Sequence, residues 1–406
     1  MIGVMSLNAE AQNGFNMPLS QFGIGSSELP FNMPMATRMG GAIYTLSGNN
    51  FVNPFNPASY ASVEVESFVF DMGMNIQMSR LRAGTESQTD ADGNLSYLAV
   101  AMPIEGIELR KAGISAPILA LTSGTDFFRE MIQYHLEPSI PNLSALKALV
   151  EVLEEAGVRD FPIHIKLDTG MHRLGFMPGD IPELCAYLKG CPYVKVVSCF
   201  SHLAVAEDPS QDAFTLGQVE LFTKGAEALG KALGYKPLWH ILNSAGIERF
   251  PQFQFDMVRL GIGIYGVSAL PGKQLEPVAS LKVKILQIKQ LEPSDGTIGY
   301  GRRGHIAPGG TVIATIPCGY ADGINRHLGN GAASFSVNGH RAPTIGNICM
   351  DMCMLDVTGI PCKVGDTVTV FGTDPTIGEL AGILGTIPYE ILTSVPRRIE
   401  RVIVRR

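Results

Sequence analysis

No lysine occurs in the first 110 residues of this 406-residue chain; the first is Lys111. Chemistry that needs a lysine amine is therefore excluded from that stretch. Charge is also sparse, at 17% charged residues with a net charge of −7. That leaves no electrostatic case for a nucleic-acid or acidic-membrane partner. No apolar run reaches the roughly 18 residues needed to span a bilayer as a helix. The seven cysteines all lie at or beyond Cys185 and form no CxxC pair. They read as reduced thiols of a cytoplasmic protein, which argues against a disulfide framework or a metal site.

What is present changes character near Asn94. Met1 to Gln12 carries a very short apolar run, without the basic start or full apolar core of an export signal, and is expected not to direct export. Residues 1–93 are rich in Asn, Ser, Met, Gly and Pro, and the alternation from Ala42 to Met78 predicts antiparallel strands, an irregular β-rich segment. The pattern SGNNFVNPFNPASYASVE is similar to the N-terminal part of outer-membrane β-barrel proteins. From Tyr97 the chain alternates strand and helix. YLAVAM, APILALT, LEPSI, FPIHIKLD, YVKVVSCFSH, LWHILNS and FDMVRLGIGIYG read as strands, with helices such as LSALKALVEVLEEAG and QVELFTKGAEALGKALG between them. That predicts an α/β barrel over 94–270 with seven βα-type strands, where a closed barrel has eight. Beyond about Leu270 the helices stop, and Gly-, Asp- and Pro-separated strands predict an all-β domain over 271–406.

The densest polar motif is KLDTGMHRLGF, Lys166 to Phe176, just past the apolar strand FPIHI. The carboxyl ends of parallel strands are where α/β proteins place their chemistry. GIGIYG, Gly261 to Gly266, fits GxGxxG literally, but no helix or acidic residue follows at the needed distance, so a dinucleotide site is excluded. With CFSHLAVAED, HILNSAG, VRLGIGIYG, IGYGRR, IPCGYADG, GNICMDMC and YEILTSVPRR in order, residues 94–406 resemble the alanine racemases. These are pyridoxal-phosphate (PLP) enzymes with a barrel of (β/α)8 type and a C-terminal β domain.

The resemblance implies roles by position. Tyr300 is one of two groups that move a proton at the amino-acid Cα. A phenol titrates near pH ~10, so His202 and Arg259 are expected beside it. Arg259 faces the pyridine nitrogen, while Ser244, Gly261, Ile262 and Tyr389 hold the phosphate. Arg173 and Met350 contact substrate, Asp351 and Tyr320 line the same mouth, and Lys166 is a lysine carbamylated in many relatives. No metal is implied. Alanine is the implied substrate, for D-alanine used in cell-wall peptidoglycan, with a lysine-racemising or broad-specificity relative as a variant. A homodimer with shared sites is implied, and residues 94–406 are expected to need neither membrane nor nucleic acid.

One part of the family pattern is missing. The lysine that holds PLP as a Schiff base, in a VKANAYGHG-like run, has no counterpart; its place falls near Asn53 or Pro54. Lys111 ends a predicted helix, on the wrong side of the barrel. The expected architecture is therefore a barrel lacking its first βα unit, with two unpaired strand edges unless the N-terminal segment, whose residues are not patterned for it, patches the gap with a strand. The expected function is a racemase by descent that is impaired or inactive. A PLP-binding protein without catalysis and a non-functional chimera stand as alternatives.

Overall fold

The structure is a computed structural model. It describes residues 70–83, 86–270, 272–273, 275–396 and 398–402, with side chains described from Tyr97 onward. The readings of Met1 to Gln12, and of the alternation before Phe70, lie outside the described residues. The chain divides into two compact units, one ending at Gly261 with Ala269–Pro271 added, the other spanning Ile262–Ser268 and Gly272–Val402.

The first unit is an eight-stranded sheet. It begins with β1 (Phe70–Ala83) and β2 (Glu86–Val100), a long antiparallel pair. Then come α1 (Pro103–Lys111), β3 (Ile118–Ala120), α2 (Phe128–Gln133), β4 (Glu137–Ile140), α3 (Leu143–Glu155) and β5 (Phe161–Lys166). The unit continues with α4 (Ile181–Leu188), β6 (Val194–Phe200), α5 (Asp212–Leu233), β7 (Leu238–His240), α6 (Ser244–Arg249) and β8 (Val258–Leu260). Strands β2 to β7 run parallel in sequence order. This is the strand–helix alternation expected from the sequence. The helices form where the sequence carries the right period and caps. In α3, Ala145, Leu146, Leu149, Val150 and Leu153 make one buried stripe, and the Asn142 side chain accepts the Ala145 N–H at 2.9 Å. Helix α5 ends at Gly234, whose φ of 76° is left-handed.

The missing βα unit is handled by a strand of opposite sense. β1 lies between β2 and β8, antiparallel to both, with Gly73 opposite Arg259. At the other side, Asp256 N–H donates to Trp239 O at 3.1 Å and Arg259 N–H to Leu242 O at 3.0 Å. These bonds join the two ends of the strand order. The expected pair of open edges is therefore corrected: a hairpin needs only a tight turn, whereas a parallel replacement would need a crossover. A second correction concerns GIGIYG, read above as strand. Only Val258–Leu260 is strand; Ile262–Tyr265 is a 3-10 turn. An apolar run that short does not separate the two by periodicity.

The second unit holds a seven-stranded antiparallel sheet. It contains β9 (Leu281–Lys284), β10 (Gln287–Leu291), β13 (Thr311–Ile316), β14 (Ser334–Val337), β15 (His340–Ile345), β16 (Cys353–Asp356) and β17 (Thr367–Phe371). A separate two-stranded pair is β11 (Thr297–Ile298) and β12 (Gly304–His305). Two helices the sequence reading had not placed follow: α7 (Ile377–Leu384), capped by Thr376, and α8 (Pro388–Thr393), opened by proline.

Candidate active site

The KLDTGMHRLGF stretch leaves β5 as a closed loop. Phe176 N–H donates to Lys166 O at 2.8 Å, and Asp168 N–H donates back to Phe176 O at 2.9 Å. Gly175 is required at the neck, since its φ is 133° and a Cβ there would sit 2.6 Å from Asp168 N. Inside the loop Asp168 Oδ1 accepts the N–H groups of Gly170 and His172, both at 3.0 Å. Burial would raise the Asp168 pKa; these donors and the His172 imidazole outweigh it and hold the carboxyl below its usual range. Arg173 is exposed on this loop.

Lys166 is the last residue of β5 and is buried, with its ammonium 5.6 Å from the centre of the Phe200 ring. Arg259 stands over the same ring at 5.3 Å and is 1% exposed, the largest fully buried side chain described. A guanidinium only donates. Its Nη1 donates to His240 Nδ1 at 2.7 Å, and its Nη2 donates to Ser201 O at 2.6 Å, Ile241 O at 3.2 Å and His202 Nδ1 at 3.3 Å. Both imidazoles must therefore present a bare nitrogen to it, which keeps both neutral. Burial, then Arg259, Arg173 and Lys166, lower the His202 pKa to about 3. His240 is pushed well down by burial, Arg259 and His164. His202 and Arg259, both expected beside the Tyr300 phenol, are in contact with each other.

Behind Arg259 lies a polar row not predicted above. His240 Nε2 meets Ser198 Oγ at 2.9 Å, Ser198 Oγ meets His164 Nδ1 at 2.6 Å, and His164 Nε2 meets Glu137 Oε2 at 2.8 Å. His164, Ser198 and His240 are fully buried on β5, β6 and β7. Tyr97 sets its ring edge-on to His164, and burial together with Glu137 raises its phenol pKa. The only signal for these residues was a polar side chain interrupting each apolar strand: His164 in FPIHI, Ser198 in VVSCF and His240 in LWHI.

The anion-holding candidates divide between the units. In the first, Gly261 N–H donates to Ser244 Oγ at 3.0 Å, at the start of α6, where Asn243 caps Gly246 N–H. In the second, Ile262 N–H donates to the Tyr389 hydroxyl at 3.0 Å. Each is a backbone N–H beside a hydroxyl, neutral donor chemistry that suits a phosphate. The buried guanidinium of Arg259 suits a ring nitrogen that is to stay unprotonated. Within the first unit, Ser244, Gly261 and Arg259 thus fit the phosphate and ring of PLP.

The other candidates lie on loops of the second unit. Tyr300 is 71% exposed and sits between Gly299 (φ 75°) and Gly301 (φ 67°), with its carbonyl accepting Asn347 Nδ2–H at 2.8 Å. Tyr320 and Met350 are 43% and 55% exposed. Their segments run side by side: Tyr320 N–H donates to Cys349 O at 3.0 Å and Ala321 N–H to Met350 O at 2.9 Å. That approach needs Gly319, where a Cβ would lie 2.3 Å from Cys349 O and 2.4 Å from Met350 O. Asp351 shares the Arg398 guanidinium with buried Asp322, each at 2.7 Å. Arg398 and Asp322 were missed above as residues with a role. Among the described residues no cluster of His, Cys, Asp and Glu is arranged to hold a metal, and no helix is long and apolar enough to cross a membrane.

A parallel βα unit followed by an antiparallel β unit is the arrangement of the alanine racemase fold. The chain belongs to the alanine racemase family. The model for the alanine racemase N-terminal domain matches residues 80–269, and that for the C-terminal domain matches residues 278–403. A model described as BamG matches residues 1–123. The alanine racemase of Sorangium cellulosum is 38% identical over 322 residues, covering 75% of this chain and 83% of that protein. That of Methanococcus maripaludis is 38% identical over 359 residues, covering 86% and 92%. The solved alanine racemase of Clostridium difficile 630 superposes with a TM-score of 0.69 at 35% identity, covering 75% of this chain and 80% of that one.

Proposed function

We propose that this chain is a PLP-binding member of the alanine racemase family, directed at alanine, whose racemisation is impaired for want of the anchoring lysine. The observation that carries this reading is the lysine distribution. None precedes Lys111, and Lys166 is the sole buried lysine among the described residues. When bound, PLP withdraws electrons from the Cα–H bond of an amino acid. The rest falls to the chain. Arg259, held by two neutral imidazoles, keeps a cation against the pyridine nitrogen. Ser244 and Gly261, with Ile262 and Tyr389, bind the phosphate. Arg173 and the Met350 backbone orient the substrate carboxylate, and Asp351 and Tyr320 line its approach. Tyr300 gives or takes the Cα proton on one face. On the opposite face a second base is needed, and no lysine of residues 1–110 supplies it.

In this reading Tyr300 and Met350 serve a partner subunit, so the working form is a cytoplasmic homodimer. The N-terminal segment, residues 1–93, differs in sequence character from the barrel of 94–270 and the β domain of 271–406, although its strand β1 (Phe70–Ala83) pairs within the barrel sheet. The test is to follow loss of optical rotation of L-alanine with saturating PLP, beside a PLP titration. The expected result is saturable, dialysable PLP binding with racemisation at least about a thousandfold below that of an intact relative, the scale of losing one proton-transfer group. Turnover like that of the intact relative would overturn the reading. Aggregation without PLP binding would favour a non-functional chimera.

A further inference from the structure

The polar row behind Arg259 has a direction that the hydrogen-bond chemistry dictates. Arg259 can only donate, so His240 Nδ1 accepts and its proton sits on Nε2. That Nε2–H donates to Ser198 Oγ, whose single proton must then go to His164 Nδ1. His164 is left with its proton on Nε2, which donates to the Glu137 carboxylate. Each link has one acceptor and one donor, and the two ends cannot exchange roles: a guanidinium cannot accept, and an ionised carboxylate cannot donate. The row runs across four neighbouring strands, β4 to β7, and ends on the side chain of β8 that forms the centre of the candidate site. His240 is held further by stacking on Phe200, with ring centres 4.9 Å apart and planes 4° apart.

We propose that Glu137 is a positioning residue for Arg259, acting through His164, Ser198 and His240. The carboxylate at the far end, acting together with Arg259 at the near end, holds both imidazoles as Nε2–H tautomers. That selection gives the guanidinium a bare nitrogen to donate to, fixing its plane against the Phe200 ring. Removing the carboxylate leaves the buried His164 Nε2–H without its acceptor and Arg259 as the one end of the row opposing reversal, so that a reversed row becomes populated. His164 then places its proton on Nδ1 and donates to Ser198, Ser198 donates to His240 Nε2, and His240 turns an Nδ1–H toward the Arg259 Nη1–H. Two donors face each other, and Arg259 loses its in-plane partner. A cofactor ring nitrogen would then meet a guanidinium less firmly held, its Nη2 bonds to Ser201 O, Ile241 O and His202 Nδ1 remaining. This last consequence rests on the PLP reading above; the tautomer selection does not.

The experiment is nitrogen-15 NMR of the full-length protein labelled in histidine and arginine, without PLP, followed by a PLP titration of the same samples. In the unmodified protein, His164 and His240 are expected as single Nε2–H tautomers, and Arg259 is expected to show separate, slowly exchanging Nη signals. Glu137→Met is expected to populate the Nδ1–H form of His164, to broaden the Arg259 Nη signals, and to weaken PLP binding about tenfold, although residue 137 does not touch Arg259. Glu137→Gln is expected to restore all three readouts, because its amide oxygen can accept from His164. Should Glu137→Met not fold, Ser198→Ala serves. With the middle link gone and Glu137 intact, the Arg259 Nη signals are expected to broaden as in Glu137→Met; unchanged Arg259 signals would overturn the proposal. The proposal is overturned if either imidazole carries its proton on Nδ1 in the unmodified protein. It is equally overturned if Glu137→Met leaves the Arg259 signals as they were. Failure of the unmodified protein to bind PLP would instead count against the cofactor reading, with the tautomers untouched.

Discussion

The two units hold their candidate groups in opposite ways. In the first, Arg259, His240, Ser198 and His164 are buried, and hydrogen-bond direction fixes every one of them. In the second, Tyr300, Tyr320 and Met350 are largely in solvent, and only their backbones are fixed, by Gly299, Gly301, Gly319 and Asn347. A buried polar row sets charge and proton location, at the expense of tolerance: any missing partner leaves desolvated groups unmatched. An exposed loop stiffened by glycines sets position alone and leaves its side chains to another surface. This contrast is what a site shared between subunits would require.

The comparison can be broken at its strongest point first. Arg259→Ala strands His240, His202 and several buried carbonyls, so the first unit should lose about 3–5 kcal/mol, read as a lower urea midpoint. A neutral result would mean the row is not structural. Next, Gly319→Ala and Gly175→Ala each force a Cβ into backbone atoms, and each should cost about 1–3 kcal/mol. Gly319→Ala should lower the stability of the second unit while leaving the His240 environment unchanged. At the small end, Tyr300→Phe and Met350→Ala should shift stability by less than about 0.5 kcal/mol, because both side chains are exposed. A larger shift would show that these loops are packed in the working protein, as in a dimer.

The pH dependence sharpens the same contrast. His202 has its folded pKa lowered to about 3, against about 6.5 when unfolded. Below about pH 6.5 the unfolded chain therefore takes up a proton that the folded site refuses. Stability present above that pH is lost as pH falls toward the folded value. Denaturation series between pH 7 and 4 should show this slope, and His202→Asn should reduce it, the remainder coming from His240. Asp168 has a depressed pKa as well, so its contribution persists through that window and fades only below its ordinary carboxylate range.

Sequence reading found what local pattern encodes. The parallel βα order and the break after β5 follow from periodicity and turn residues, whereas the loop motifs of the second unit are read from the family resemblance. GIGIYG misled because an apolar run of that length has no period, while its real constraint is remote: at Gly266 a Cβ would overlap Glu276 O. The row from Glu137 to Arg259 was illegible for a related reason. Glu137 and His164 are 27 residues apart and Ser198 and His240 are 42 apart. Only the closing of neighbouring strands shows that these isolated polar residues meet. The antiparallel β1 was likewise beyond reach, since the sequence signalled a missing strand but not the sense of what replaces it.

The central claim is a cofactor pocket without its covalent anchor. The most direct measurement is an absorbance spectrum of the protein with PLP, before and after borohydride, followed by mass spectrometry of its peptides. The account predicts the absorbance of free aldehyde and no phosphopyridoxyl group on any lysine. A stoichiometric phosphopyridoxyl adduct on one lysine, Lys166 or any other, would contradict it and return the chain to the ranks of anchored racemases.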